Sequence, residues 1–332
     1  MSKVLVTGSE GFIGSHLVEQ LVRSGYQVKA MVQYNSFNSR GWLDDLSVEI
    51  LESLEVIYAD IRDPHLTKNA MLGCEYVFNL AALVAIPYSY LAPSSYIDTN
   101  IRGTLNILQA ALETGVKRVI QTSTSEVYGS AKFVPITEDH PLSAQSPYAA
   151  SKIAADQLSL SYYASFELPV VIVRPFNTFG PRQSTRAVIP TIITQIAQGQ
   201  EELSIGSISP TRDFSYVTDT VSGFIAVLES TVGLGEVFNL GSNFEISVGE
   251  TVELISELIG RKVSLSTEKE RIRPENSEVV RLWADNTKAK AQFDWKPEYE
   301  GRKGFKEALG KTINWYLDPT NLAKFKSTSF TL

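Results

Sequence analysis

Tyr148 and Lys152 stand four residues apart in the stretch QSPYAASK (145–152). Ser146 and Pro147, just before them, have the chemistry of a helix start, a capping hydroxyl followed by proline at the first helical position. Side chains four apart on a helix share a face, so the ammonium reaches the phenol oxygen or a ligand bound beside it. A free phenol titrates near pH ~10, and working as a base near neutrality asks for a shift of roughly 3 units, or about 4 kcal/mol. One positive charge at about 4 Å supplies around that much at an effective dielectric near 20. The pair can therefore be an acid–base device. The alternative is an aromatic packed inward with a lysine in water, which any alanine-rich helix can carry.

A second cluster lies at the N-terminus. VLVTGSEGFIGSHL puts Gly8, Gly11 and Gly14 directly after a short apolar run and at the start of a helical pattern. Glycines let the backbone turn tightly and approach a pyrophosphate, whose charge suits the N–H groups and positive end of a helix. A dinucleotide fits there; an ordinary tight turn is the plainer reading. The spacing is G-x-x-G-x-x-G, and the acid expected on the adenosine ribose at the end of the second strand is missing, since the chain reads Val32, Gln33, Tyr34. That leaves NAD and NADP both open, with Arg40 either meeting a 2′-phosphate or lying solvated in a loop. Asp60, in YADIRD, is a candidate adenine contact or a helix cap. Between the two clusters, QTSTSEVYG (121–129) follows another strand-like run, and strand ends on the carboxyl side are where a doubly wound sheet gathers its ligands.

Short β-branched runs must position these groups: Val4–Val6, Val28–Val32, Val56–Ala59, Val77–Leu80, Val119–Gln121 and Val170–Val173. Apolar runs of this kind, alternating with helical patterns such as Ile13, Leu17 and Leu21, predict a Rossmann-type, doubly wound α/β fold with a buried parallel sheet. After residue 175 the alternation weakens, and a smaller C-terminal substrate lobe is expected. A helix over 218–230 and a strand in EVFNLG (236–241) predict that the chain returns to the main sheet. The dinucleotide-binding domain then comprises 1–175 plus about 216–245, interleaved with a lobe of about 176–215 and 246–332, with a polar, peripheral tail after Pro319.

The 332 residues suffice for a sizeable core, and a formal net charge of −7 offers no basic stripe, so no nucleic-acid partner is expected. Cys74 is the single cysteine, which excludes an intrachain disulfide, and zinc-site spacings are absent, so no metal is expected. No signal-like segment or apolar run long enough for a bilayer is present, which points to a cytoplasmic protein without a membrane partner.

With these stretches in view, the sequence resembles the extended short-chain dehydrogenase/reductase family, in its NAD-dependent nucleotide-sugar epimerases and dehydratases. VTGSEGFIGSHL, NLAAL, DTNIRGTLNIL, TSTSEVYG, SPYAASK, RPFNTFGPRQ, RDFSYVTD and RPENSEV follow in one order over nearly the whole chain. The resemblance implies NAD as cofactor, a nucleotide-sugar substrate and a homodimer formed through a helix bundle. It implies that Gly8, Gly11 and Gly14 hold the pyrophosphate, with Phe12 and Ile13 also at the cofactor, that Asp60 and Ile61 flank adenine, and that Leu80, Ala81 and Ala82 line the cofactor cleft. Tyr148 would take the sugar O4 proton as hydride leaves C4, Lys152 would bind the nicotinamide ribose and lower the tyrosine pKa, and Thr124 would hydrogen-bond near O4. Asn177 resembles a substrate-phosphate contact, and Arg212 and Arg273 resemble the clamp on the diphosphate, where a guanidinium fork suits phosphate oxygens.

Glu126 decides which reaction to expect. Once C4 is a ketone the C5 proton is acidic, and a carboxylate at this position could remove it and permit loss of the C6 hydroxyl as water. Many dehydratases carry Asp-Glu after the threonine, whereas this chain has Ser125-Glu126; the same version resembles both GDP-mannose 4,6-dehydratases and nucleotide-uronic-acid decarboxylases. YNSFNSRGWLDDL (34–46), ALVAIPYSYLAP (82–93) and RAVIPTIITQI (186–196) look like the N-acetylglucosamine-nucleotide 4,6-dehydratases of legionaminic-acid-type sugar pathways. The expectation is a lyase that converts UDP- or GDP-linked N-acetylglucosamine to a 4-keto-6-deoxy sugar. A 4-epimerase, a decarboxylase and a non-catalytic NAD(P) sensor are the alternatives.

Overall fold

The computed structural model describes residues 2–267 and 271–325. Among them, seven strands form one parallel sheet: β1 (Lys3–Thr7), β2 (Gln27–Val32), β3 (Leu54–Tyr58), β4 (Tyr76–Asn79), β5 (Arg118–Thr122), β6 (Val170–Pro175) and β10 (Val237–Leu240). Their order is β3-β2-β1-β4-β5-β6-β10, a Rossmann-type doubly wound α/β arrangement whose winding reverses between β1 and β4, where ligands of such sheets collect. The strand expected in EVFNLG pairs with β6, Val237 against Ile172 and Leu240 against Pro175.

Alternate residues of these strands feed two cores, as a period of two requires. Val4, Val6, Phe78, Ile120, Val171 and Val173 face the helices Phe12–Arg23 and Val217–Glu229, in a cluster that runs on into Ile192, Leu203, Phe214 and Phe305. Leu5, Met31, Val77, Val119 and Ile172 face the opposite side, with Ile107 and Leu108 of the Gly103–Thr114 helix. Both faces are dry, which is why the strands read as unbroken apolar runs.

The other strands lie apart from this sheet. β7 (Asn177–Phe179), β9 (Thr211–Tyr216) and β11 (Glu245–Ser247) form a three-stranded sheet, while β8 (Glu202–Ile205) pairs with β12 (Ser264–Thr267). As far as it is described, the tail stays at the surface, with no buried residue in Pro319–Leu322, though it is not free of apolar contact. Phe325 packs within 5.3 Å of Tyr316 and 5.9 Å of Trp42, ring centre to ring centre, because Trp42 and Trp315 supply an aromatic surface that a polar reading overlooks. Residues 326–332 lie outside the described residues. No helix among the described residues is long and apolar enough to cross a membrane.

Candidate active site

The glycine turn forms one end of a cavity of about 650 Å³ along the carboxyl edge of the sheet. Gly8 has φ +67°, and a Cβ there would sit 2.9 Å from the Ala81 nitrogen; a Cβ on Gly14 would meet the Gly8 carbonyl oxygen at 2.1 Å. Only glycine permits this cradle. Gly11 occupies the N-cap of the Phe12–Arg23 helix without a side-chain cap, leaving the helix end to face the cavity through backbone alone. The neighbouring NLAAL loop is held by β1: the Thr7 hydroxyl donates to Asn79 at 2.9 Å and accepts from the Leu80 and Ala81 amides at 3.1 and 3.0 Å. Gly8, Gly11, Phe12, Ile13, Gly14, Leu80, Ala81 and Ala82 all line this cavity, as do Asp60 and Ile61. A dinucleotide pyrophosphate fits such a cradle. The helix cap beyond β3 is Asp63, which accepts from the His65 and Leu66 amides. Asp60 instead chelates Arg62, 2.6 Å from Nη2. Arg40 is paired with Asp44 at 2.7 Å.

At the other end stands Tyr148. Ser146 caps its helix by accepting from the Ala149 amide at 3.1 Å, and Pro147 opens the first turn. Tyr148 is 7% exposed, packed edge-on against Tyr96. Thr124 opens the turn Ser125–Tyr128 and accepts from the Glu126 amide at 3.2 Å. The electrostatics differ from the sequence expectation. Burial pushes the Tyr148 phenol well above its ordinary value, a Thr124 hydrogen bond pulls against this, and Glu126, Tyr96 and Asp156 add to the rise. Burial also pulls Lys152 down to about 8, and its ammonium donates to the Thr122 carbonyl at 2.6 Å. A buried phenol with carboxylates nearby resists ionisation, so the chain alone does not make this tyrosine acidic.

A second cavity of about 540 Å³ adjoins the first. Phe12, Thr124, Glu126, Tyr148 and Asn177 line both; Ser125 and Lys152 line the first and Arg212 and Arg273 the second. Glu126 is 8% exposed, and Arg273 Nη1 lies 3.8 Å from its Oε1. Arg212 Nη2 is 3.3 Å from Glu278, which also lies 3.8 Å from Arg273. The two guanidinium groups thus converge on a wall shared with the Glu126 carboxylate. Asn177 Oδ1 and Arg273 Nη1 are shielded from solvent and lack hydrogen-bond partners among the described residues. All the residues expected at the site from sequence are therefore brought to two joined cavities.

Sequence reasoning missed the residues that hold this assembly in place. Asn100 accepts from the Leu83 amide and donates to the Leu83 carbonyl and the Ser151 hydroxyl, each at 2.9 Å, tying the loop after β4 to the tyrosine helix. Asp156 stands one turn beyond Lys152, fully buried, and Oδ2 accepts from Ser123 at 2.8 Å and from Arg174 Nη2 at 2.9 Å. Its signal was the same four-residue spacing that marked Tyr148 and Lys152. Glu278, within RPENSEV, is the carboxylate between the two arginines.

The chain matches the family model described as GDP-mannose 4,6 dehydratase over residues 5–308. The low-salt glycan biosynthesis protein Agl12 of Haloferax volcanii is 34% identical, with 95% of this chain and 98% of that protein covered. The UDP-N-acetyl-alpha-D-glucosaminuronate decarboxylase of Bacillus cytotoxicus is also 34% identical, covering 96% and 99%. Among solved structures, DesIV of Streptomyces venezuelae, a dTDP-glucose 4,6-dehydratase with NAD and TYD bound, is similar at a TM-score of 0.86 and 29% identity, covering 96% and 98%.

Proposed function

The chain belongs to the GDP-mannose 4,6 dehydratase family of NAD-dependent nucleotide-sugar enzymes, and within that family we propose that it is a nucleotide-sugar 4,6-dehydratase acting on UDP- or GDP-linked N-acetylglucosamine. One observation carries the reading: the Glu126 carboxylate lies buried beside Tyr148 and Thr124 on the wall common to both cavities. A 4-epimerase needs no such base, because it only returns hydride to the other face of C4.

When bound, NAD supplies the two-electron acceptor that takes hydride from C4 and gives it back to C6. Tyr148 accepts the O4 proton, and Thr124 hydrogen-bonds O4. Lys152 holds the ribose side of the cofactor cleft. Glu126 then removes the C5 proton, made acidic by the adjacent C4 ketone, and the C5 electron pair expels the C6 oxygen. Ser125 brings no carboxyl acid, so the leaving hydroxyl takes its proton from Glu126 itself and departs as water; as hydride adds to C6, C5 takes back a proton that reaches it from solvent through Glu126. Arg212 and Arg273 bind the diphosphate, and Asn177 contacts it from the junction.

The test is to incubate the protein with UDP-GlcNAc and GDP-GlcNAc and weigh the products. Loss of one water supports the dehydratase, and an unchanged mass with altered C4 stereochemistry means epimerisation. A decarboxylase is the second reading, favoured by the Bacillus cytotoxicus relative and by Ser125; it would instead release carbon dioxide from a nucleotide-uronic acid. Turnover of no nucleotide sugar would overturn all three.

Two further outcomes follow from the residues. Glu126→Gln keeps C4 oxidation, so reduced cofactor accumulates, while solvent deuterium uptake at C5 falls by ~10²-fold or more; unchanged exchange would assign the C5 base elsewhere. The pH profile tests Lys152. With its pKa drawn down to about 8 by burial, it is cationic below that pH and neutral above it. The profile of kcat/KM is therefore expected to fall on the alkaline side with a midpoint near 8. K152R, whose guanidinium stays charged, loses that limb even though its absolute rate is low. A limb that persists in K152R belongs to another group.

A further inference from the structure

Glu10, the residue before Gly11 in the glycine turn, carries no role in the chemistry above, yet it is an acid held in place at the adenosine end of the cofactor cavity. We propose that Glu10 is the residue that selects NAD over NADP, doing from the glycine turn what an acid at the end of β2 does in other dinucleotide folds.

Its position rests on three contacts. Glu10 Oε1 accepts from the Gln33 amide at 3.0 Å, which brings the carboxylate to the end of β2. The Glu10 carbonyl accepts from the Trp42 amide at 3.0 Å. Gly41, at φ +57°, lies so close that a Cβ there would stand 2.7 Å from the Glu10 carbonyl oxygen and 2.9 Å from its Cβ. Trp42 in turn is wedged against Trp315 and Phe325. Glu10 and Gln33 both line the cofactor cavity, next to Asp60, Ile61 and Arg62. The remaining oxygen, Oε2, is shielded from solvent and has no hydrogen-bond donor among the described residues.

A buried carboxylate oxygen without a donor is costly unless a ligand completes it. The torsion of a terminal carboxylate is soft, so one oxygen can turn to a ribose hydroxyl while the Gln33 amide keeps the other. A 2′-hydroxyl donates to a carboxylate; a 2′-phosphate has no proton to give near neutrality and meets like charge instead. The arginines that could receive a phosphate are engaged, Arg62 with Asp60 at 2.6 Å and Arg40 with Asp44 at 2.7 Å. The inference concerns cofactor choice and stands whichever sugar reaction the enzyme performs.

The experiment reads binding, not turnover. Full-length protein is equilibrated with equal concentrations of NAD⁺ and NADP⁺, freed of unbound nucleotide and denatured, and the released dinucleotides are counted by mass. Wild type is expected to retain NAD in at least about tenfold excess, and Glu10→Gln, which keeps the acceptor for Gln33 but not the charge, to shrink that excess by about tenfold or more through a gain in NADP. Glu10→Asp retains the preference for NAD. Wild type holding both nucleotides equally would overturn the proposal, as would a Glu10→Gln ratio equal to wild type or an equal weakening for both. If Glu10→Gln fails to fold by its melting curve, the wild-type and Glu10→Asp ratios decide.

Discussion

Tyr148→Phe lowers kcat by ~10²–10⁴-fold while leaving dinucleotide affinity within a factor of about two. The substitution removes one oxygen and keeps the ring, whose edge-on packing at 6.2 Å from Tyr96 survives, so the helix that carries Lys152 has no reason to move. What is lost is the acceptor for the O4 proton, and hydride cannot leave C4 while that proton stays. The effect is large because burial already holds the phenol above its ordinary value. In this chain Glu126, Tyr96 and Asp156 work against ionisation, and the Thr124 hydrogen bond favours it. The compensating positive charge must therefore come with the loaded site. Rapid mixing of the variant with NAD and nucleotide sugar, read as reduced-cofactor absorbance, checks it; a burst at the wild-type rate would remove Tyr148 from the proton path. Equilibrium titration of the cofactor, in parallel, separates lost chemistry from lost binding.

How much of this was legible in the sequence depends on the distance over which each signal acts. The parallel strands were readable because both faces of the sheet are dry, so that Val4 and Leu5, which point to opposite cores, are both apolar. The Tyr148 helix start was readable because Ser146 and Pro147 are local to it. The return of Val237–Leu240 to the sheet was readable from β-branched and apolar content alone. What sequence could not give was the sign of the electrostatics. A charge one helical turn away is visible in the sequence, but desolvation, the largest influence on Tyr148, depends on Tyr96 and on the chain segments that cover the pocket. The partnership of Asp156 with Arg174 spans different elements and has no local pattern. Arg174 sits in the run VVIVRP, where five of six residues are apolar or proline, and an arginine there could only be paired or misplaced. Glu278 was equally hidden, because its role comes from where residues 212 and 273 meet.

The pairing of Asp156 and Arg174 also carries the largest expected loss of stability. Arg174→Met, which keeps most of the volume, is expected to cost about 3–5 kcal/mol and to lower the melting temperature by roughly 5–15 °C. The guanidinium donates to Asp156 Oδ2 through Nε at 3.1 Å and Nη2 at 2.9 Å and to the Tyr128 hydroxyl at 3.0 Å. Both partners of the ion pair are at most 3% exposed, so removing the arginine strands a carboxylate with Ser123 and Lys152. The double variant Arg174→Met with Asp156→Leu is expected to recover much of the loss, since the cost lies in the unpaired charge and not in the absent bond. The pH dependence has a definite sign. Burial raises the Asp156 pKa, with Arg174 the main influence against it, and without the arginine the rise is greater. An acid whose folded pKa lies above its unfolded value loses stability as pH climbs through that interval, so the deficit of Arg174→Met is smaller near about pH 5 than near about pH 8. A deficit independent of pH would mean that packing around Tyr128, not charge, sets the cost. Because Asp156 is one helical turn from Lys152, and Lys152 one turn from Tyr148, the same variant is expected to blunt catalysis at temperatures where it is still folded: the buried pair fixes the helix face on which the chemistry stands.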